Sequence, residues 1–94
     1  MAHKVAYCTV HGGFDLSEVA IRRLWQLGLY TNGSDVPRHD PRLIRVIEEL
    51  GDAAAGEGCS LGIAEVSGRH YIIHEYDGRE SVIEPYDIQW IVIQ

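Results

Sequence analysis

Cysteine is scarce in this chain. Only Cys8 and Cys59 occur among 94 residues, with no Cys-x-x-Cys and no Cys/His zinc spacing, so a framework of several disulfides and a zinc-nucleated fold are excluded, and a single disulfide is the alternative to two free thiols. No stretch approaches about 18 consecutive apolar residues, so no transmembrane helix is expected. The apolar run from Val5 to Val10 is too short for a secretory core, which makes a cytoplasmic location and two reduced, buried thiols the expectation. Basic residues are scarce in the second half. Residues 1–47 carry a net charge of +2, whereas residues 48–94 carry −8, and the total of −6 argues against general nucleic-acid binding. Gly-Lys-Ser/Thr is absent after the glycines, which excludes a P-loop, and no dinucleotide fingerprint occurs.

What is present suits one small domain spanning residues 1–94. Hydrophobic residues make up 46%, too many for a disordered chain. A chain of this size buries roughly 60–65% of its extended-chain surface, enough for a single modest core. Residues 4–10 read as a strand, rich in β-branched and aromatic side chains, and Gly12-Gly13 ends it. A helix is predicted over residues 16–27, with Ser17 or Asp15 as its cap and Gly28 beyond its end. Its apolar face comprises Ala20, Leu24 and Leu27, joined by Ile21 and Trp25. A second helix is predicted over residues 41–50, capped by Asp40, opened by Pro41 and striped by Leu43, Ile44, Ile47 and Leu50.

The remainder is strand-like, over residues 60–66, 71–75, 79–84 and 88–93. Asp77-Gly78 marks a hairpin. A two-residue turn sets Glu75 opposite Glu80, whereas a three-residue loop pairs Glu75 with Arg79 and His74 with Glu80, and cross-strand charge favours the second register. The expected fold is α+β in the order β-α-α-β-β-β-β, with one antiparallel or mixed sheet of four to five strands and both helices on one face. The terminal run Ile88-Gln89-Trp90-Ile91-Val92-Ile93 offers apolar side chains on both faces of a strand. A homo-oligomer, most simply a dimer, is expected to cover the second.

Gly12-Gly13-Phe14-x-Leu16-Ser17, Pro37-Arg38-x-Asp40-Pro41-x-Leu43-Ile44, Glu48-Glu49-Leu50-Gly51, Tyr76-Asp77-Gly78-x-Glu80 and Trp90 occur in that order over most of the chain. This series resembles a family of small uncharacterised proteins found mostly in bacteriophages and other viruses. The resemblance implies a viral, prophage or environmental origin and no catalytic residues. Members of that family usually carry Cys-Tyr before the paired glycines, where this chain has Val10-His11.

Candidate sites are few. A strand–Gly-Gly–helix junction presents backbone N–H groups and the positive end of a helix dipole, which suit phosphate or carboxylate. The expected anion ligands are Gly12, Gly13, Phe14 and Ser17, assisted by Arg38 and Arg42 through forked hydrogen bonds. The alternative is structural: a tight turn at the glycines, a cap at Asp40, and Arg38 paired with a sheet carboxylate. His70 and His74 lie about 13 Å apart along a strand, too far to share one metal ion unless His3, His11 or His39 converges on one of them. Cys8 and His11 fall on opposite strand faces, which makes Cys8 a packed thiol rather than a nucleophile. Glu75, Asp77, Glu80 and Glu84 crowd one hairpin as a solvated edge or an acidic mimic of nucleic acid. No catalytic set, metal site or cofactor is expected, and neither nucleic acid nor membrane is an expected partner. The leading reading is a non-enzymatic accessory protein binding a small anionic ligand or a protein partner. The alternatives are an acidic inhibitor of a nucleic-acid enzyme and a small hydrolase.

Overall fold

A computed structural model describes residues 3–85 and 93. Its elements are strand β1 (His3–Cys8), helix α1 (Glu18–Gln26), helix α2 (Pro41–Leu50), a short 3-10 helix (Gly51–Ala54), and strands β2 (Leu61–Val66), β3 (Ile72–Tyr76) and β4 (Arg79–Ile83). The chain is therefore α+β, with both expected helices in place. The terminal run over residues 88–92, on which the oligomer expectation rests, lies outside the described residues. Among the described residues, no helix is long and apolar enough to cross a membrane.

Local chemistry sets the helix boundaries. Ser17 is extended, and its Oγ accepts the Ala20 N–H at 3.2 Å, satisfying one amide that the helix itself cannot. The same hydroxyl donates to the Ala53 carbonyl at 2.6 Å and so ties the start of α1 to the 3-10 helix that follows α2. Asp40 caps α2 by accepting from the Arg42 amide at 2.8 Å, with Pro41 at the first helical position. Leu24 and Leu43 are fully buried and meet Ala20, Ile44, Ile47 and Ala6 in the core, with Leu27 partly buried against it. Trp25 departs from the expected apolar face. It is 53% exposed, donates its indole N–H to the Thr31 carbonyl at 2.8 Å and packs edge-on to Tyr30. It fastens the loop after α1 rather than filling the core, because an indole needs a partner for its N–H.

Among the described residues, the strands form two ladders rather than the single sheet expected. β1 pairs antiparallel with β2, β3 pairs antiparallel with β4, and the two ladders are separate. The outer edge of β1 is already occupied. Ala6 N–H donates to the Arg38 carbonyl at 2.8 Å, and Cys8 N–H donates to a carboxylate oxygen of Glu80, also at 2.8 Å. At the far end of β2, Glu84 accepts from Ser67 N–H at 2.8 Å, Ser67 Oγ at 3.1 Å and Gly68 N–H at 3.3 Å. Two carboxylates on or just beyond β4 thus fasten one ladder to the other by side-chain-to-backbone bonds, where a continuous sheet would use backbone alone.

This arrangement corrects two further expectations. Glu80 and Glu84 are buried, so the acidic hairpin is not a uniformly solvated edge; Glu75 and Asp77 are its exposed carboxylates. The hairpin also takes the register that cross-strand charge disfavoured, Glu75 opposite Glu80 and Tyr76 opposite Arg79. Asp77 and Gly78 both have positive φ, 51° and 87°, as a tight two-residue turn demands. Repulsion does not decide the register, because Arg38 neutralises Glu80 while Glu75 folds back to accept the Gly78 N–H at 2.9 Å.

Candidate functional site

Three of the sequence motifs meet at one point. The Arg38 guanidinium donates from Nη1 and Nη2 to the two oxygens of Glu80, at 2.6 and 2.9 Å. Its carbon lies 3.6 Å from the centre of the Phe14 ring, so the cation is also stacked on an aromatic face. Nearby, Gly13 N–H donates to the Gly78 carbonyl at 3.2 Å, and His11 Nδ1 lies 3.2 Å from the Asp77 carbonyl oxygen. The Gly-Gly turn, the loop before α2 and the Asp-Gly turn therefore brace one another. Burial pushes the Glu80 carboxyl up, but the Arg38 hydrogen bonds, the Cys8 amide and the Arg38 charge outweigh it and hold the group below the ordinary carboxylate range.

The groups expected to hold an anion are largely engaged here. Arg38 is taken up by Glu80, Phe14 is covered by Arg38, and Arg42 donates to the cap carboxylate of Asp40 at 3.0 and 3.2 Å. Gly13 N–H is bonded to Gly78, and Ser17 uses its N–H on Ala54 and its hydroxyl on Ala53. Gly12 sits so close to Gly58 that a Cβ there would lie 1.6 Å from the Gly58 carbonyl oxygen. The structure gathers Gly13, Phe14 and Arg38 into this knot and leaves Arg42 on the first turn of α2, turned to its own cap.

A different surface holds another set of polar side chains, two of them bonded to each other. A groove of about 580 Å³ runs between the start of β1, the residue before the α2 cap and the β2–β3 connection. His3, His39, Arg69 and Tyr71 line it, above Val5 and Val66. His39 Nδ1 and the Tyr71 hydroxyl are 2.7 Å apart and their rings meet edge to face, which fixes both side chains. Arg69 forms no ion pair among the described residues. Burial pushes the Tyr71 phenol up, and the positive charge of Arg38 works against that without reversing it, so the hydroxyl keeps its proton and can donate at neutral pH. Two imidazoles, a guanidinium and a phenol facing one groove can donate hydrogen bonds to an oxyanion.

No pattern in the sequence marks these four residues as a unit. His3 and His39 were potential converging histidines, but they meet Arg69 and Tyr71 rather than His70 or His74. The four groove side chains span 68 positions from His3 to Tyr71 and share no motif, so no local signal joins them. Among the described residues, no group of three or more His, Cys, Asp or Glu is placed to hold a metal ion. Cys8 is buried and His11 exposed, and they do not meet. No protein-family model, curated protein or solved structure matches the chain.

Proposed function

We propose that the chain is a non-enzymatic, phage-related accessory protein that binds a small anionic ligand, and that the ligand sits in the groove of His3, His39, Arg69 and Tyr71. The observation that carries this reading is Arg69, a cation without an ion pair among the described residues, beside two imidazoles and a proton-bearing phenol. Arg38, the cation expected to do this work, is instead matched to Glu80. The inward turn of Glu80 and Glu84 removes two of the four carboxylates on which an acidic nucleic-acid mimic would rest.

The test is a thermal-shift series with phosphate, sulfate and mononucleotides, followed by amide-shift mapping with the best of them. A ligand at about one hundred times its Kd stabilises by roughly 2.7 kcal/mol, which such a series reads easily. Arg69→Ala should abolish the shift and Arg42→Ala should leave it intact. Loss of the shift in Arg42→Ala, with perturbed amides at residues 12–17, would return the site to the Gly-Gly helix start. No shift with any anion would overturn the reading.

A further inference from the structure

Cys8 and Cys59 lie 51 positions apart in sequence, yet their sulfurs are 3.8 Å apart. Both are reduced thiols. The two segments already run side by side here: Cys8 stands opposite Leu61 in the β1–β2 ladder, and Thr9 N–H donates to the Ser60 carbonyl at 2.8 Å. A disulfide needs the sulfurs at about 2.05 Å, so closure requires an approach of only about 1.8 Å. We propose that Cys8 and Cys59 form an oxidative modification site, in which a small-molecule disulfide such as oxidised glutathione converts the pair into an intramolecular cross-link.

The geometry sets the order of events. Cys8 is fully buried and its thiol donates to the Val10 carbonyl at 3.1 Å, whereas Cys59 is only half-buried. Cys59 therefore meets the oxidant. Its thiolate attacks one sulfur of oxidised glutathione and expels the other half as a thiolate, leaving a mixed disulfide on Cys59. Cys8 then loses its proton and attacks the Cys59 sulfur, expelling the second glutathione thiolate. Two electrons pass from the cysteine pair to the oxidant, and the two cysteine protons end on two glutathione thiols. Burial, the adjoining Cys8 and the charge of Asp15 push the Cys59 thiol up to about 11, against a hydrogen bond from the Asp15 backbone that lowers it, so the attacking thiolate is a minor species at neutral pH. The cross-link ties the end of β1 to the segment whose Gly58 packs on Gly12, and so to the knot of turns around Arg38.

The experiment incubates the full chain, natively and in denaturant, at pH 8.5 across a series of oxidised-to-reduced glutathione ratios. Acid-quenched samples go to mass spectrometry and peptide mapping. The expected product is a monomer about 2 Da lighter, with the Cys8 and Cys59 peptides joined, formed natively at a ratio at least about tenfold lower than in denaturant. The oxidised protein should melt about 5 °C or more higher. Cys8→Ser should stop at a glutathione adduct on Cys59, about 305 Da heavier. Cys59→Ser should give neither cross-link nor adduct on the buried Cys8. Glutathione adducts persisting on the unsubstituted chain would overturn the proposal. So would disulfide-linked dimers, or a native chain that cross-links no more readily than the denatured one.

Discussion

Arg38 and Glu80 close the outer edge of the first strand between them. The Arg38 carbonyl accepts from Ala6 N–H, its guanidinium grips both Glu80 oxygens, and one of those oxygens also accepts from Cys8 N–H. A pair 42 positions apart in sequence thus occupies the place where another strand would have added. Glu80 is 7% exposed, so its charge depends on Arg38 and the Cys8 amide for compensation.

Arg38→Ala should therefore be among the most damaging single changes outside the apolar core. It strands a buried carboxylate and uncovers Phe14, a loss of about 3–5 kcal/mol by analogy with broken buried pairs. Glu80→Gln should cost less, because the amide keeps the shape and one acceptor oxygen. Urea unfolding of both single variants and the double variant gives the coupling between them. A loss below about 1 kcal/mol in Arg38→Ala would show that the pair is not a structural anchor.

Stability should fall in acid, and the sign follows from the direction of the shifts. Glu80 is held below its ordinary value in the folded protein, and Glu49 is held down to about 2 by hydrogen bonds from Arg23 and Arg45. The stability that a depressed carboxyl contributes is present above its unfolded pKa and is lost as pH falls through its folded one. The melting temperature should be level from neutrality to about pH 5, then decline steadily toward about pH 2. Glu80→Gln should flatten part of that decline. An acid profile unchanged in that variant would remove Glu80 from the account.

Leu24→Ala tests the core directly. Leu24 is fully buried among Ala20, Leu43 and Ile47, and removing its branched end should cost about 2–5 kcal/mol through the lost contacts and the residual cavity. A cost under about 0.5 kcal/mol in urea unfolding would contradict that packing.

The elements readable from the sequence are those governed by near neighbours. Ser17 and Asp40 announce their helices because a cap bonds an amide two or three residues away, and the Leu24 and Leu43 stripes follow from helical period alone. The Asp77-Gly78 turn was legible for the same reason, but its register was not. Weighing Glu75 against Glu80 needs the charge of Arg38, which arrives from a loop far away in sequence. The separate ladders were hidden likewise, since nothing local shows that Glu80 and Glu84 bind backbone amides instead of facing water. Helical period alone puts Trp25 on the apolar face, because it carries no sign that Thr31 offers the indole a carbonyl.

Gly78→Val should fail for two reasons at once. The residue has a φ of 87°, which a β-branched side chain resists, and a Cβ there would lie 2.7 Å from the Gly13 nitrogen. Destabilisation should exceed about 1 kcal/mol and be accompanied by displaced amide signals at residues 11–13. Unchanged melting would remove the contact between the two turns.

The paired glycines should prove unequal, because they are needed for different reasons. Gly13 has a φ of +82°, but a Cβ on it would meet nothing within 4 Å. Its requirement is conformational, so Gly13→Ala should cost about 1 kcal/mol and Gly13→Asn less, since asparagine tolerates the left-handed region. For Gly12 the obstacle is space: its Cβ would lie 1.6 Å from the Gly58 carbonyl oxygen and 2.7 Å from the carbon. Both atoms are backbone, and no side chain can swing aside. Gly12→Ala must push the Gly-Gly turn away from the segment that carries Gly58 and Cys59. It should therefore melt well below Gly13→Ala and shift the amides of residues 56–60, which Gly13→Ala leaves in place. If the turn existed to cradle an anion with its amides rather than to let two backbones touch, the order would reverse. Gly12→Ala would then fold as well as the parent chain, and the damage would appear as lost anion binding. Melting curves and amide spectra of the two alanine variants, with and without phosphate, separate these outcomes.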